Sequence, residues 1–208
     1  GSLKSINIHF LGEVNSPGVM PIHPFSTVTT GLMQAGGISL IGSLRDIHIL
    51  RNGKLLQSID YYQYLLKGSI TDDIRLLDND VISIPVRKSN VLIKGKVKRP
   101  GVFELKEGEN LSDLIYYAGG LDNDAGQKVG ISRVLPLAYR KNAAEPIQHI
   151  WVDLSMKDEI ELIDGDKVNV PSLFLVDQKV KIYGRVKNPG DYSLSTGMDV
   201  LDLIELSG

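Results

Sequence analysis

The chain has 208 residues, 42% of them hydrophobic and 23% charged, and 23 Lys and Arg against 25 Asp and Glu leave a formal charge of −2. That is an ordinary globular composition; the acidic balance argues against a dedicated nucleic-acid binder, and no stretch approaches the roughly 18 apolar residues of a membrane-spanning helix. Cysteine is absent, which excludes disulfides, cysteine-zinc centres and thiol chemistry.

No segment reads as a signal peptide, and Gly1-Ser2 without a starting Met reads as a cloning remnant on an excised piece. From Ile6 to Val14 the residues alternate, with Ile6, Ile8, Phe10, Gly12 and Val14 on one face, which predicts a half-buried strand. Pro17-Gly18 supplies a tight turn, because Pro fixes φ at one corner and Gly accepts the positive φ that follows. A second strand runs through Ile22. Ser26 is the expected N-cap of a helix carrying Val28, Leu32 and Ala35, and Gly36-Gly37 ends it in left-handed cap geometry. Gly31 inside that helix costs about 1 kcal/mol against Ala.

Asp46 to Arg51, the turn Asn52-Gly53 and Lys54 to Ile59 predict a β-hairpin. Tyr61 to Lys67 reads as a short helical turn, and Leu77-Asp-Asn-Asp80-Val81-Ile82-Ser-Ile84-Pro85 as a closing turn and strand.

The same plan returns at Ile93-Lys-Gly95-Lys-Val97-Lys-Arg99-Pro100-Gly101, and again at Tyr183-Gly184-Arg-Val186-Lys-Asn-Pro189-Gly190. The first glycines fall at 12, 95 and 184, and in every copy 18 residues separate the Gly of Pro-Gly from the Gly that ends the helical run (18 to 36, 101 to 119, 190 to 208). A period this long denotes tandem domains rather than a solenoid, whose units run roughly 20 to 50 residues. The expected units are residues 3–87, 88–173 and 174–208, the last holding only the first half of a copy. Units this small bury only about 60–65% of their unfolded surface, so packing between neighbours should matter.

In the second copy Asn110 is the expected N-cap, with Leu111, Leu114, Ile115 and Ala118 on the buried stripe. Pro136 to Pro146 reads as a protruding hairpin loop. The closing element recurs as Asp164-Gly-Asp166-Lys-Val168-Asn-Val170-Pro171. The third copy holds two strands and a helix from about Asp199, with Val200, Leu203 and Ile204 on its stripe. Its missing strands should leave a sheet edge and part of that stripe open, and it is expected to lean on the second copy or another molecule. Strand, turn, strand, helix, glycine cap and further short strands make an α+β unit with one helix crossing a mixed sheet, the β-grasp arrangement.

These motifs resemble the soluble-ligand-binding β-grasp (SLBB) domain: Gly12, Pro17, Gly18 and Gly36, Gly95, Pro100, Gly101 and Gly119, and Gly184, Pro189 and Gly190 form its fold signature. Serial copies are similar to the periplasmic part of outer-membrane polysaccharide export proteins. The resemblance implies a non-catalytic capsule or exopolysaccharide export module that builds part of an oligomeric ring or conduit in the periplasm, without a cofactor. It implies polysaccharide, further copies of the whole protein and an inner-membrane polysaccharide copolymerase as partners. The family's export-signature domain, lipidated Cys and membrane-spanning C-terminal helix have no counterpart here, so outer-membrane attachment would come through segments outside these residues. A periplasmic glycan- or small-ligand-binding adaptor is the alternative.

No constellation of residues points to catalysis. His9, His23, His48 and His149 lack ligand-like spacing, and Asp122-Asn-Asp124-Ala-Gly126 fails as a calcium loop because Arg133 stands where a bidentate Glu is needed. Asp78, Asp80, Asp164 and Asp166 are expected to satisfy backbone amides in the repeated turn. No phosphate-binding or nucleophile-elbow glycine motif occurs.

The remaining feature is charge. Lys94, Lys96, Lys98 and Arg99, and Lys179, Lys181, Arg185 and Lys187, form two basic stripes. They read either as lysines guarding an edge strand or as a lane for an acidic glycan. A third reading docks them on the carboxylates of a neighbouring subunit, from Asp153, Asp158, Glu159, Glu161, Asp164 and Asp166.

Overall fold

The computed structural model describes residues 4–68, 73–135, 140, 146–173, 179–193 and 199–208. In the first copy, strands β1 (Ile6–Gly12) and β2 (Gly18–Ile22) are followed by helix α1 (Val28–Gln34). Strands β3 (Ile47–Arg51) and β4 (Lys54–Ile59), helix α2 (Tyr61–Lys67) and strand β5 (Val81–Ile84) complete it. The sheet order is β2-β1-β5-β3-β4, antiparallel except where β1 and β5 run parallel at the centre. Alternation puts Ile8, Phe10, Ile47, Ile49, Ile82 and Ile84 on one face, where Val28 and Leu32 of α1 close the core.

The second copy repeats the layout with β6 (Asn90–Gly95), β7 (Gly101–Glu104), α3 (Leu111–Tyr117), β8 (Lys128–Val134), β9 (Ile147–Asp153) and β10 (Lys167–Val170), in the order β7-β6-β10-β8-β9. A 3-10 turn, Leu154–Glu159, stands where the first copy has α2. The fold is therefore α+β with tandem β-grasp units. In the third segment β11 (Lys179–Ile182) pairs antiparallel with β12 (Gly190–Ser193), followed by α4 (Val200–Ser207).

Local chemistry explains the elements. Asn110 caps α3 in a reciprocal box with Asp113, and Asp199 caps α4 with Asp202. The cap of α1 is Thr27 rather than the expected Ser26: Thr27 holds the extended backbone of an N-cap, and Thr30 three residues on returns the bond to its amide. Ser26 is buried, and its carbonyl accepts from the Leu76 amide. Gly31 sits where a Cβ would come 3.0 Å from the Leu76 side chain and 3.4 Å from the Phe10 ring, so α1 gives up propensity to pack closely on its sheet.

The repeated acidic turn is tied down identically in both copies. Asp78 accepts from the Asn7 amide and Asp164 from the Asn90 amide, each at 2.8 Å. Asp80 and Asp166, both 1% exposed, accept from the amides of Leu77 and Ile163. Each also receives a two-pronged guanidinium, Arg51 on Asp80 and Arg133 on Asp166. Replacing Asp166 by Asn is expected to cost about 2 kcal/mol in a urea denaturation. This is below the 3–5 kcal/mol of a fully buried pair because Arg133 keeps partial access to water.

Flanking strands pair up to Val134 with Ile147, and the Leu135 amide donates to the Pro146 carbonyl. Most of the predicted 136–146 loop lies outside the described residues. In the third segment, the hydrogen bonds among the described residues are internal, such as the Lys187 amide to the Gly208 carbonyl. Leu203 is buried while Val200, Leu201, Ile204 and Leu206 are exposed. The expected lean on the second copy is not among these hydrogen bonds.

Candidate functional site

Two features stand out beyond the fold: the junction between the first two copies, and the open face of the second sheet. The junction is built on Arg45, a buried cation in the loop before β3. Its guanidinium donates to Asp60, the N-cap of α2, and across the junction to Glu109 and the Glu104 carbonyl. The same group lies over the rings of Tyr62 (4.5 Å) and Tyr117 (5.0 Å), one from each copy. Around it the Glu104 carboxylate accepts from Ser43 Oγ (2.6 Å) and the Leu44 amide (2.8 Å), and the Glu104 amide donates to Tyr62 Oη. Tyr62 belongs to the core of the second copy, with Leu44 and Leu66 packed beside it.

Burial alone would raise the pKa of Asp60 and Glu109. Hydrogen bonds from Arg45, with Lys106 and the Tyr62 amide on Asp60 and with Tyr117 on Glu109, outweigh it and hold both carboxyls below their ordinary range. Burial, reinforced by the bond to Glu109, pushes the Tyr117 phenol up. A depressed carboxyl stabilises the fold above its unfolded pKa and ceases to do so as pH falls through its folded value. A raised phenol stabilises it below its unfolded pKa and is lost as pH rises through the folded one. Stability should therefore be flat between about pH 5 and 9 and fall on either side. Glu109→Gln should weaken the acid limb, as urea midpoints across pH would show.

The predicted basic stripes are dispersed. In the sheet order β6 lies second from the edge, between β7 and β10, so its lysines guard no edge. Strand β6 ends at Gly95, where φ is +90° and the chain turns, and alternation stops there. Lys94 projects from the open face; Lys96 pairs with Asp124 at 2.7 Å; Arg99 donates to the Tyr117 carbonyl; Lys98 is exposed beyond the strand. Lys179 and Lys181 are on β11, Lys181 lying 3.9 Å from Asp191, while Arg185 and Lys187 lie in the following loop.

Lys94 meets different companions, set by register across four strands. One row runs Lys94, Asn169, Gly130, Trp151, and the next Leu92, Lys167, Ser132, His149. All of these but Leu92 line a shallow depression of about 290 Å³. A Cβ on Gly130 would come within 3.3–3.7 Å of three atoms of the Trp151 six-membered ring, so the indole covers Gly130. Lys167 and Asn169 were missed by sequence reasoning, although alternation about the buried Val168 turns both outward, as it turns Lys94.

Among the described residues no group of three or more His, Asp or Glu could hold a metal ion. His48 contacts Asp46 at 2.8 Å, and His149 contacts Ser132 at 3.2 Å. Asp124, in the rejected calcium loop, accepts from Lys96 and Ser172.

The SLBB domain family model matches residues 8–58, 90–142 and 179–208, one segment for each copy. The chain belongs to the SLBB domain family. Its SLBB segments open on the Gly-x-Val-x-x-Pro-Gly hairpins and take in α1, α3 and α4. Two curated Escherichia coli proteins, each named polysialic acid transport protein KpsD, are 31% identical to the chain over 108 residues, 52% of this chain and 17% of each relative. The match thus covers about a sixth of those relatives' length.

Proposed function

We propose that the chain is a non-catalytic, periplasmic module of a capsule or exopolysaccharide export protein, one wall section of an oligomeric ring through which polymer passes. Its units are taken as residues 3–87, 88–173 and 174–208. The observation that carries this reading is the junction: Arg45 bridges carboxylates of two SLBB copies in a buried, aromatic-lined seat, as a load-carrying wall requires. Similarity to polysialic acid transport proteins supports polysaccharide as the cargo. An exposed charge contact is worth about 0–1 kcal/mol, so the surface lysines suit a polymer that must slide. In a closed ring, effective concentration would multiply such weak contacts. Further copies of the whole protein and an inner-membrane copolymerase complete the expected partners, and outer-membrane attachment would come from segments beyond these residues. Crosslinking the whole protein in native membranes should trap a high-order homo-oligomer, and deleting these residues should stop polymer reaching the surface; a strict monomer or unchanged export would defeat the proposal.

A further inference from the structure

We infer that the open face of the β7-β6-β10-β8-β9 sheet is a subsite for an anionic sugar residue of a glycan, seated on Trp151 and held by Lys94 and Lys167. The inference rests on the proposed export role and adds where the chain touches its cargo.

Three observations carry it. First, Trp151 is 67% exposed. Trp is highly buried on average, so an indole this open presents an unusually large apolar ring to solvent. Its ring lies over Gly130, which leaves the outer face free. A flat, electron-rich aromatic face accepts the weakly positive C–H groups of a pyranose ring.

Second, the charge around the ring is of one sign. Lys94 stands at the other end of the Trp151 row and Lys167 on the next row, and no carboxylate lines the depression. Neither lysine has an ion-pair partner among the described residues. Asn169, Ser132 and His149 add hydrogen-bonding groups for sugar hydroxyls. The volume, about 290 Å³, lies where small-ligand clefts begin.

Third, the fold does not need these residues. The first copy builds the same sheet with Leu11, Ser83, His48 and Ser58 in place of Lys94, Asn169, Gly130 and Trp151. Its next row reads His9, Val81, Leu50 and Leu55, with no lysine and no tryptophan. The aromatic and cationic groups are thus particular to the second copy. The face commits to a carboxylate-bearing glycan rather than nucleic acid because it offers one stacking ring, where single-stranded nucleic acid uses several, on a chain of net charge −2.

Trp151 is the only tryptophan in the chain, so its emission reports this face alone. The test titrates the 208-residue protein with hexamers of sialic acid and of galacturonic acid, with maltohexaose as the neutral sugar and a thymidine hexanucleotide as the competing polyanion. The acidic hexamers should shift the emission saturably and with salt sensitivity, and the two controls should not. By calorimetry, Lys94→Ala with Lys167→Ala should weaken binding about three- to twentyfold. Trp151→Ser, which installs the first copy's residue, should weaken it about tenfold, while Trp151→Phe should retain most of the affinity and guards against a folding defect. No saturable shift at millimolar acidic hexamer, an equal response to maltohexaose, or tighter binding of the oligonucleotide would each overturn the subsite. If the subsite fails while the whole protein still crosslinks as a ring and supports export, only this inference falls; if the ring and export fail while acidic hexamers still bind, the export reading falls instead.

Discussion

Arg45→Ala is expected to lower the free energy of unfolding by about 3–5 kcal/mol and to split one unfolding transition into two. The substitution takes the shared cation from two partly buried carboxylates, leaving Asp60 with Lys106 and Glu109 with Tyr117, and removes the plate between the Tyr62 and Tyr117 rings. The lost energy falls on the junction, because the Arg45 guanidinium donates to an acid of each copy, Asp60 and Glu109. Trp151 emission follows the second copy and far-ultraviolet circular dichroism follows both, so urea curves by the two probes should coincide for the parent and diverge for the variant. Arg45→Lys keeps the charge but not the planar fork, and should recover less than half of the loss. Coincident curves with a loss under about 1 kcal/mol would mean that the copies do not depend on each other.

Gly95→Ala should be almost as damaging, for a reason confined to the backbone. Gly95 has φ +90°, and a Cβ there would lie 2.0 Å from the Val170 carbonyl oxygen; Gly12 repeats this, 2.1 Å from the Ile84 oxygen. The strand must come this close because the next amide, Lys96, donates to that same Val170 oxygen at 2.8 Å. Adding a methyl forces β6 and β10 apart at the parallel pair in the middle of the sheet. Strain and overpacking together give about 3 kcal/mol or more. Gly108→Ala is the control: its φ is +82° but nothing lies within 4 Å, so only the left-handed backbone cost of about 1–2 kcal/mol applies. Equal midpoint losses for the two variants would show that the collision with Val170 is not what matters.

Much of the architecture could be read from the chain because its determinants are local. Pro-Gly turns, Asn52-Gly53, the alternation of Ile8 and Phe10, and the Asn110 cap act within a few residues, and their repetition at fixed spacing discloses the tandem plan. The cap of α1 falls at Thr27, one position after the expected Ser26, since Ser and Thr both cap and only Thr30 completes the box. What stayed hidden depends on pairs distant in sequence. Arg45 meets Glu109 across 64 residues, and nothing in either local pattern marks the other. Trp151 joins Lys94 only through the register of four strands. The basic stripe of the second copy is interrupted for a related reason: alternation holds along a strand, and β6 ends at Gly95, one residue before Lys96.

The junction also bears on how a chain of like-folded units avoids tangling while it folds. Proteins with tandem copies are prone to pairing the wrong neighbours, within one molecule or between two. Here the acid and phenol that receive Arg45, Glu109 and Tyr117, and the acid that receives Ser43 and the Leu44 amide, Glu104, correspond in the first copy to Ser26, Gln34 and Pro21. An arginine presented to that surface would find neither carboxylate nor ring, and would bury its charge unanswered. The units share a shape but not an address, so a correctly ordered pair is the only one whose buried charge is met.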